Sequence, residues 1–231
     1  MARPSSPLIS RELAIKTTLE LIDEEGYETF SLSKLARRMG VQTPSLYYYF
    51  SGRDDVLEEA ARELLKQGPV PVYPTDRQWQ EWFVELCMET YRLIMRHPRA
   101  AGLVFTYFPN TVVMPSHERG AQLLAEAGVP VADQWAVMRG MEKLVFGMAF
   151  GDAQDQTSGR ASAPRGGQRE LYPAFSAASD ASPAGAELLE RAIRVFLDGV
   201  GVDANKKTGK GSAWGTSSSG RKKTAASRTS N

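Results

Sequence analysis

The chain has 231 residues, 42% of them hydrophobic, with 28 basic against 27 acidic side chains and a single cysteine. That is enough chain for one sizeable core or two modest ones. No apolar run approaches the roughly 18 residues needed to span a bilayer, "MARPSSPLISRELA" has no signal-type apolar block, and one cysteine allows no internal disulfide, so a cytoplasmic protein is expected.

"SRELAIKTTLELIDEEGY" places Ile15, Leu19 and Ile22 on one helical face, with Ser10 as a cap and Gly26 as a stop. "SLSKLARRMG" repeats this in miniature: Ser31 caps, Leu32, Leu35, Ala36 and Met39 face inward, and Gly40 terminates. "VQTPSLYYYF" restarts within about three residues, with Thr43 able to cap and Pro44 suited to a first helical turn. "SGRDDVLEEAARELLKQG" opens at Ser51, carries an acidic first turn and turns Val56, Leu57, Ala60, Leu64 and Leu65 inward. The proline-rich "PVPVYPTD" then marks a boundary.

From about Arg77 the pattern is helical again. "QWQEWFVELCMETYRLIMRHP" is long and amphipathic, and "RAAGLVFTYFPN", "SHERGAQLLAEAG" and "VADQWAVMRGMEKLVFGMAFGDA" read as three more helices. "QTSGRASAPRGGQRELYPAFSAASDASPAG" reads as a mobile loop anchored by Leu171, Tyr172 and Phe175, and "AGAELLERAIRVFLDGVG" as the last helix. After Asp203 the chain has seven basic and no acidic residues, leaving about six net negative charges on the rest. The expected division is a domain over 1–68, a helical domain over 69–203 and a disordered basic tail over 204–231, all-α throughout.

Residues 31–50 have the spacing of a helix-turn-helix, and residues 31–53 hold Lys34, Arg37, Arg38 and Arg53 without a single acid. A local basic patch on an acidic domain suits phosphate contact. "TTLELIDEEGYETFSLSKLARRMGVQTPSLYYYFSGRDDVLEEAARELL" resembles the N-terminal domain of the tetracycline-repressor (TetR) family of bacterial regulators, over roughly residues 10–65. Where many members carry His in the recognition helix and Lys at the start of the next, this chain has Tyr49 and Arg53.

The resemblance implies an N-terminal three-helix helix-turn-helix DNA-binding domain followed by a C-terminal helical domain for ligand binding and dimerisation. Leu46 and Phe50 then face inward, Gln42, Thr43, Pro44 and Ser45 reach base edges, and Tyr47, Tyr48 and Tyr49 spread over groove and backbone, with Lys34 and Arg53 on phosphates. Tyr47 is equally suited to padding the small core. The implied partners are a double-stranded DNA operator, a second copy of the chain, and a small, largely apolar effector; the implied role is a repressor, with an effector-independent regulator as the alternative and a helical enzyme behind it.

Trp82, Phe105, Tyr107, Met114, Trp135 and Met138 are the candidate effector wall, each otherwise a core residue. Gly140, Gly147 and Gly151 would let a partner helix approach the apolar stretch 131–150, which with 186–200 forms the expected dimer interface. His97 and His117, with Glu89 and Glu118, lack the tight spacing of a metal site and are read as structural, so no cofactor is expected.

Overall fold

The computed structural model of the chain describes residues 10–68, 71, 79–159 and 164–205. The basic tail from residue 206 and most of the proline-rich break lie outside the described residues.

Four helices build the N-terminal unit: α1 (Arg11–Glu25), α2 (Leu32–Met39), α3 (Thr43–Leu46) and α4 (Arg53–Lys66). Ser10 and Ser31 cap α1 and α2, their hydroxyls accepting from the N–H of Leu13 (3.1 Å) and Lys34 (3.2 Å). Ala14, Ile15, Leu21 and Ile22 of α1 close on Leu32, Leu35 and Ala36 of α2, on Leu46 and Phe50, and on Val56, Leu57, Ala60 and Leu64 of α4. Each is a position that helical periodicity turns inward.

The second unit holds α5 (Trp79–Arg96), a 3-10 turn (Pro98–Ala100), α6 (Ala101–Thr106), α7 (Asn110–Glu126), α8 (Val131–Ser158), α9 (Gln168–Leu171), α10 (Pro173–Ala181) and α11 (Gly185–Asn205). No strand occurs among the described residues. α5 and α8 pack along each other, and α11 lies across both.

Three segments depart from the sequence reading. The expected loop after residue 156 contains α9 and α10, because Pro173 sits at the start of the alanine-rich "PAFSAASDA", where its ring costs no hydrogen bond. α7 starts at Asn110 and carries Pro115 within it, a residue the reading had placed before the helix. α11 runs to Asn205, two residues into the expected tail.

The two units meet where α1 and α4 touch the 3-10 turn and α6. His97 Nδ1 lies 2.8 Å from Asp23 Oδ2, Arg99 donates to the carbonyl of Glu24, and Tyr27 Oη is 3.2 Å from Thr106 Oγ1. Gly102 allows the Tyr27 ring its place, since a Cβ there would stand 2.5 Å from Tyr27 Cε1.

Candidate nucleic-acid interface and internal cavity

α2 ends because Gly40 adopts a left-handed conformation (φ 69°), which lets its own N–H bond to Arg37 O (3.2 Å) and that of Val41 to Ala36 O (3.0 Å). α3 follows within three residues. Gln42 occupies the cap position without a side-chain bond, so Thr43 is the first helical residue and not the cap, and Pro44 is second. Nor does Ser51 cap α4: Gly52 stands there, and Ser51 donates through its N–H to Asp55 Oδ2 at 2.8 Å.

Leu46 and Phe50 are buried to 0% and 2% exposure, which fixes the orientation of everything between them. Tyr48 projects almost completely, at 91% exposure, and Tyr47 is exposed, while Tyr49 is half-buried with its ring edge-on to Tyr48 at 6.0 Å. Gln42 at the cap and Pro44 and Ser45 on the short helix are exposed, and Thr43 is half-buried. A residue outside the expected set holds this platform. Arg11 of α1 lies over the Phe50 ring at 4.7 Å, donates to the carbonyl of Tyr49 and pairs with Glu59 of α4. No local signal points to Arg11, since its partners are 38 to 48 positions away.

The cations divide by what they already hold. Lys34 pairs with Glu25 (2.6 Å) and Arg38 with Glu24 (2.5 Å), and these bonds hold both carboxyls below the usual carboxylate range. Arg53 is turned inward, with Nε donating to Phe30 O and Nη2 to Tyr27 O, both at 3.1 Å. Its planar donor set clamps the segment between α1 and α2 to the start of α4, so the expected phosphate contact falls to a guanidinium that already holds two backbone carbonyls. Arg37 is exposed, and its side chain makes no ion pair or hydrogen bond among the described residues. In the sequence Arg37 adds to the basic patch but is not among the expected contact residues.

Where the two units adjoin, a cavity of about 300 Å³ opens between the end of α4 and helices α5, α7 and α8. Its wall is mainly apolar, including Leu65 of α4, Phe83 of α5, Val113 of α7, and Met138 and Phe146 of α8. Of the six expected wall residues only Met138 lines it. Trp82 is buried beside the wall, its indole bonded to Pro71 O (3.0 Å) and edge-on to Phe83 at 5.1 Å. Phe105 is exposed and stacks on Phe150 at 5.3 Å. Met114 and Trp135 are also exposed, Trp135 lying under the Arg139 guanidinium at 5.5 Å, and Tyr107 faces the other unit.

This placement has a geometric cause. Adjacent helical residues diverge by about 100°, so Phe83 lines the cavity where Trp82 does not, and Val113 where Met114 does not. Trp135, one turn before Met138, is exposed and outside the lining.

The lining has a polar group, Ser116 and His117 of α7 with Glu142 of α8, and also includes Lys66 of α4 and Thr90 of α5. Glu142 is only 7% exposed, and Arg139 Nη1 reaches its Oε2 at 2.5 Å, His117 Nε2 lies 3.4 Å from the same oxygen, and Lys143 Nζ is 3.7 Å from Oε1. The sequence reading set His117 beside Glu89 and Glu118; Glu89 pairs with Arg92 instead, and Glu118 accepts from Gln122. The usable signal for Glu142 was its i, i+3 spacing from Arg139 on an apolar helix. Among the described residues no three His, Cys, Asp or Glu side chains come together as a metal site. Cys87 also faces the cavity, and burial pushes its thiol up to about 12, so it is no thiolate at neutral pH.

Residues 14–60 match the family described as bacterial regulatory proteins, tetR family, and residues 71–203 match the tetracyclin repressor-like C-terminal domain. An HTH-type transcriptional regulator of Saccharopolyspora erythraea is 30% identical over 146 residues, 62% of this chain and 61% of that protein. The class A tetracycline repressor protein from transposon 1721 of Escherichia coli is 25% identical over 192 residues, 80% of this chain and 88% of the repressor. In fold, the chain is similar to the Streptomyces coelicolor TetR family protein ActR in complex with actinorhodin, with a TM-score of 0.71 and 20% identity over 87% of this chain and all of that one.

Proposed function

Because the chain belongs to the tetR family of bacterial regulatory proteins and is thus a transcription regulator, we propose that it works as a cytoplasmic homodimeric repressor, released from a pseudo-palindromic operator by a small, largely apolar effector. One observation carries this reading: α4 begins at Arg53, beside the recognition helix, and ends at Leu65 and Lys66 on the cavity wall. A molecule that favours one position of the α4 end also favours one position of α3. It shifts DNA affinity only as far as it binds the two states differently.

On the DNA side, Gln42, Thr43, Pro44 and Ser45 reach base edges, Tyr47, Tyr48 and Tyr49 meet sugar, phosphate and thymine methyls, and Lys34 and Arg37 contact phosphate. Reading a palindrome requires two copies. The shared face lies on α8 and α11, where Val195 is exposed and Gly147 and Gly151 have open space around them. Gly140 serves its own subunit instead, since a Cβ there would stand 2.8 Å from the Phe196 ring. The division into residues 1–68 and 69–203 follows the same separation of tasks.

The cavity favours this reading over an effector-independent regulator, and the regulator relatives set the helical enzyme aside. No helix among the described residues is long and apolar enough to cross a membrane. Sequencing DNA retained from a random pool by the full chain, then repeating the selection with small-metabolite extracts, tests the proposal. A palindromic consensus lost with one extract fraction is expected. Retention of random DNA, or a consensus insensitive to every fraction, overturns it.

A further inference from the structure

The polar group in the cavity lining restricts what can enter it. Ser116, His117 and Glu142 are grouped on α7 and α8 beside Met138, Met141 and Val145; the lining also holds Lys66, paired with Glu63 at 3.5 Å, and Thr90, which donates to Leu86 O at 2.8 Å. A buried carboxylate without a counter-charge would draw a cationic ligand. Glu142 is not in that state. Arg139 holds Oε2 at 2.5 Å, Lys143 stands 3.7 Å from Oε1, and His117 Nε2 lies 3.4 Å from Oε2, so an arriving ammonium would meet a pole that already has its cations.

An anion fares no better, because a ligand carboxylate would have to draw Arg139 or Lys143 away from Glu142 while standing against that buried carboxylate. What the pole lacks is a hydrogen-bond donor to Glu142 Oε1. Lys143 lies beyond hydrogen-bond distance of Oε1, so that oxygen keeps acceptor capacity at a site only 7% exposed. The group that fits is neutral, compact and able to donate one strong bond.

Resting on the reading of this cavity as the effector site, we infer that the effector is a neutral, mainly apolar molecule carrying a hydroxyl group that donates to Glu142 and shares the pole with the Ser116 hydroxyl. The volume of about 300 Å³ suits a compact fused-ring or branched skeleton. The remaining wall contributes area and little orientation, so the hydroxyl sets the register of the ligand.

Four compounds on one skeleton test this on the full chain by titration calorimetry: 9-phenanthrol, 9-methoxyphenanthrene, phenanthrene-9-carboxylate and 9-(aminomethyl)phenanthrene. A hydrogen bond to a buried carboxylate predicts that the phenol binds roughly 10-fold or more tighter than its methyl ether, with both charged analogues weaker than the phenol. Glu142→Gln should reduce the phenol's advantage to less than about threefold and leave the ether's affinity unchanged. If Glu142→Gln alone loses its fold through the unpaired Arg139, the double variant Glu142→Gln/Arg139→Gln makes the same comparison. Equal binding of phenol and ether, tightest binding of either charged analogue, or an equal loss for phenol and ether in the variant overturns the inference. Binding of none of the four overturns it together with the apolar-cavity reading. Preferential phenol binding that leaves operator affinity unchanged supports the hydroxyl inference and overturns only the effector reading.

Discussion

Tyr107 donates its phenol proton to Asp54 Oδ1 at 2.7 Å, joining the end of α6 to the first turn of α4 across the junction between the two units. This bond, more than burial, raises the Tyr107 pKa above its ordinary value. Tyr107→Phe removes the bond and keeps the ring. DNA affinity without effector should stay within about threefold, while the effector concentration needed for release shifts by roughly 3- to 10-fold, a coupling of about 1 kcal/mol. Fluorescence anisotropy of a labelled operator, with and without effector, checks it; Asp54→Asn should shift the response similarly, and the double variant no further.

Arg37 and Arg53 should separate by assay. Arg37→Ala leaves the melting temperature unchanged and lowers the dependence of log K on log salt by about one unit, as expected when one phosphate contact is lost. Arg53→Ala removes two bonds to backbone carbonyls and should cost about 1–3 kcal/mol of stability. Thermal melts beside binding isotherms at four salt concentrations decide the matter. A salt slope reduced by Arg53→Ala and not by Arg37→Ala would reverse the assignment.

Gly147 offers a test of the shared face. Among the described residues, nothing beyond its own helical turn lies within 4 Å of a Cβ built there, so within one subunit Gly147→Leu is sterically free and gains up to about 1 kcal/mol of helix propensity. Against a closely approaching partner helix the same side chain clashes. Sedimentation velocity should show the variant dissociating at concentrations where the wild type is dimeric, with helical content unchanged. A dimer as stable as wild type would move the interface off this part of α8.

Tyr91 gives stability an alkaline limit. Burial, together with its bond to Asp152 Oδ2 at 2.7 Å, raises its pKa well above the ordinary value near 10. A raised folded pKa contributes stability below pH ~10, which is lost as pH rises from there through the folded pKa. Tyr91→Phe should be about 1 kcal/mol less stable at pH 7 and should lose less than wild type between pH 9.5 and 11. Urea melts across that interval check both.

Local signals carried most of the architecture. Ser10, Ser31 and Gly40 each state a helix end within a few residues, and Leu46 with Phe50 states which side of the recognition helix is inside, so the N-terminal unit could be read directly. What could not be read depends on partners far along the chain. Arg53 has the composition of a phosphate contact, but Phe30 O and Tyr27 O claim its guanidinium, 23 and 26 positions away. The cavity wall is hidden from local signals for a related reason: apolar residues crowd several faces of α5 and α8, and which face meets empty space is decided by how α4 and α7 pack against them. Glu142 was missed because a charge on a mostly apolar helix reads as a solvent marker until its depth is known.

The construction of α4 also sets terms for anyone wishing to retune the regulator as a sensor for a chosen compound. Leu64 belongs to the core that positions the recognition helix, and its neighbour Leu65 belongs to the cavity wall. Randomising that end of α4 would mix altered ligand preference with altered operator affinity in every variant. A library confined to Phe83, Val113, Met138 and Phe146 changes the shape of the chamber through α5, α7 and α8 alone. Clones from such a library can be ranked by dose response against a common, unshifted baseline of repression.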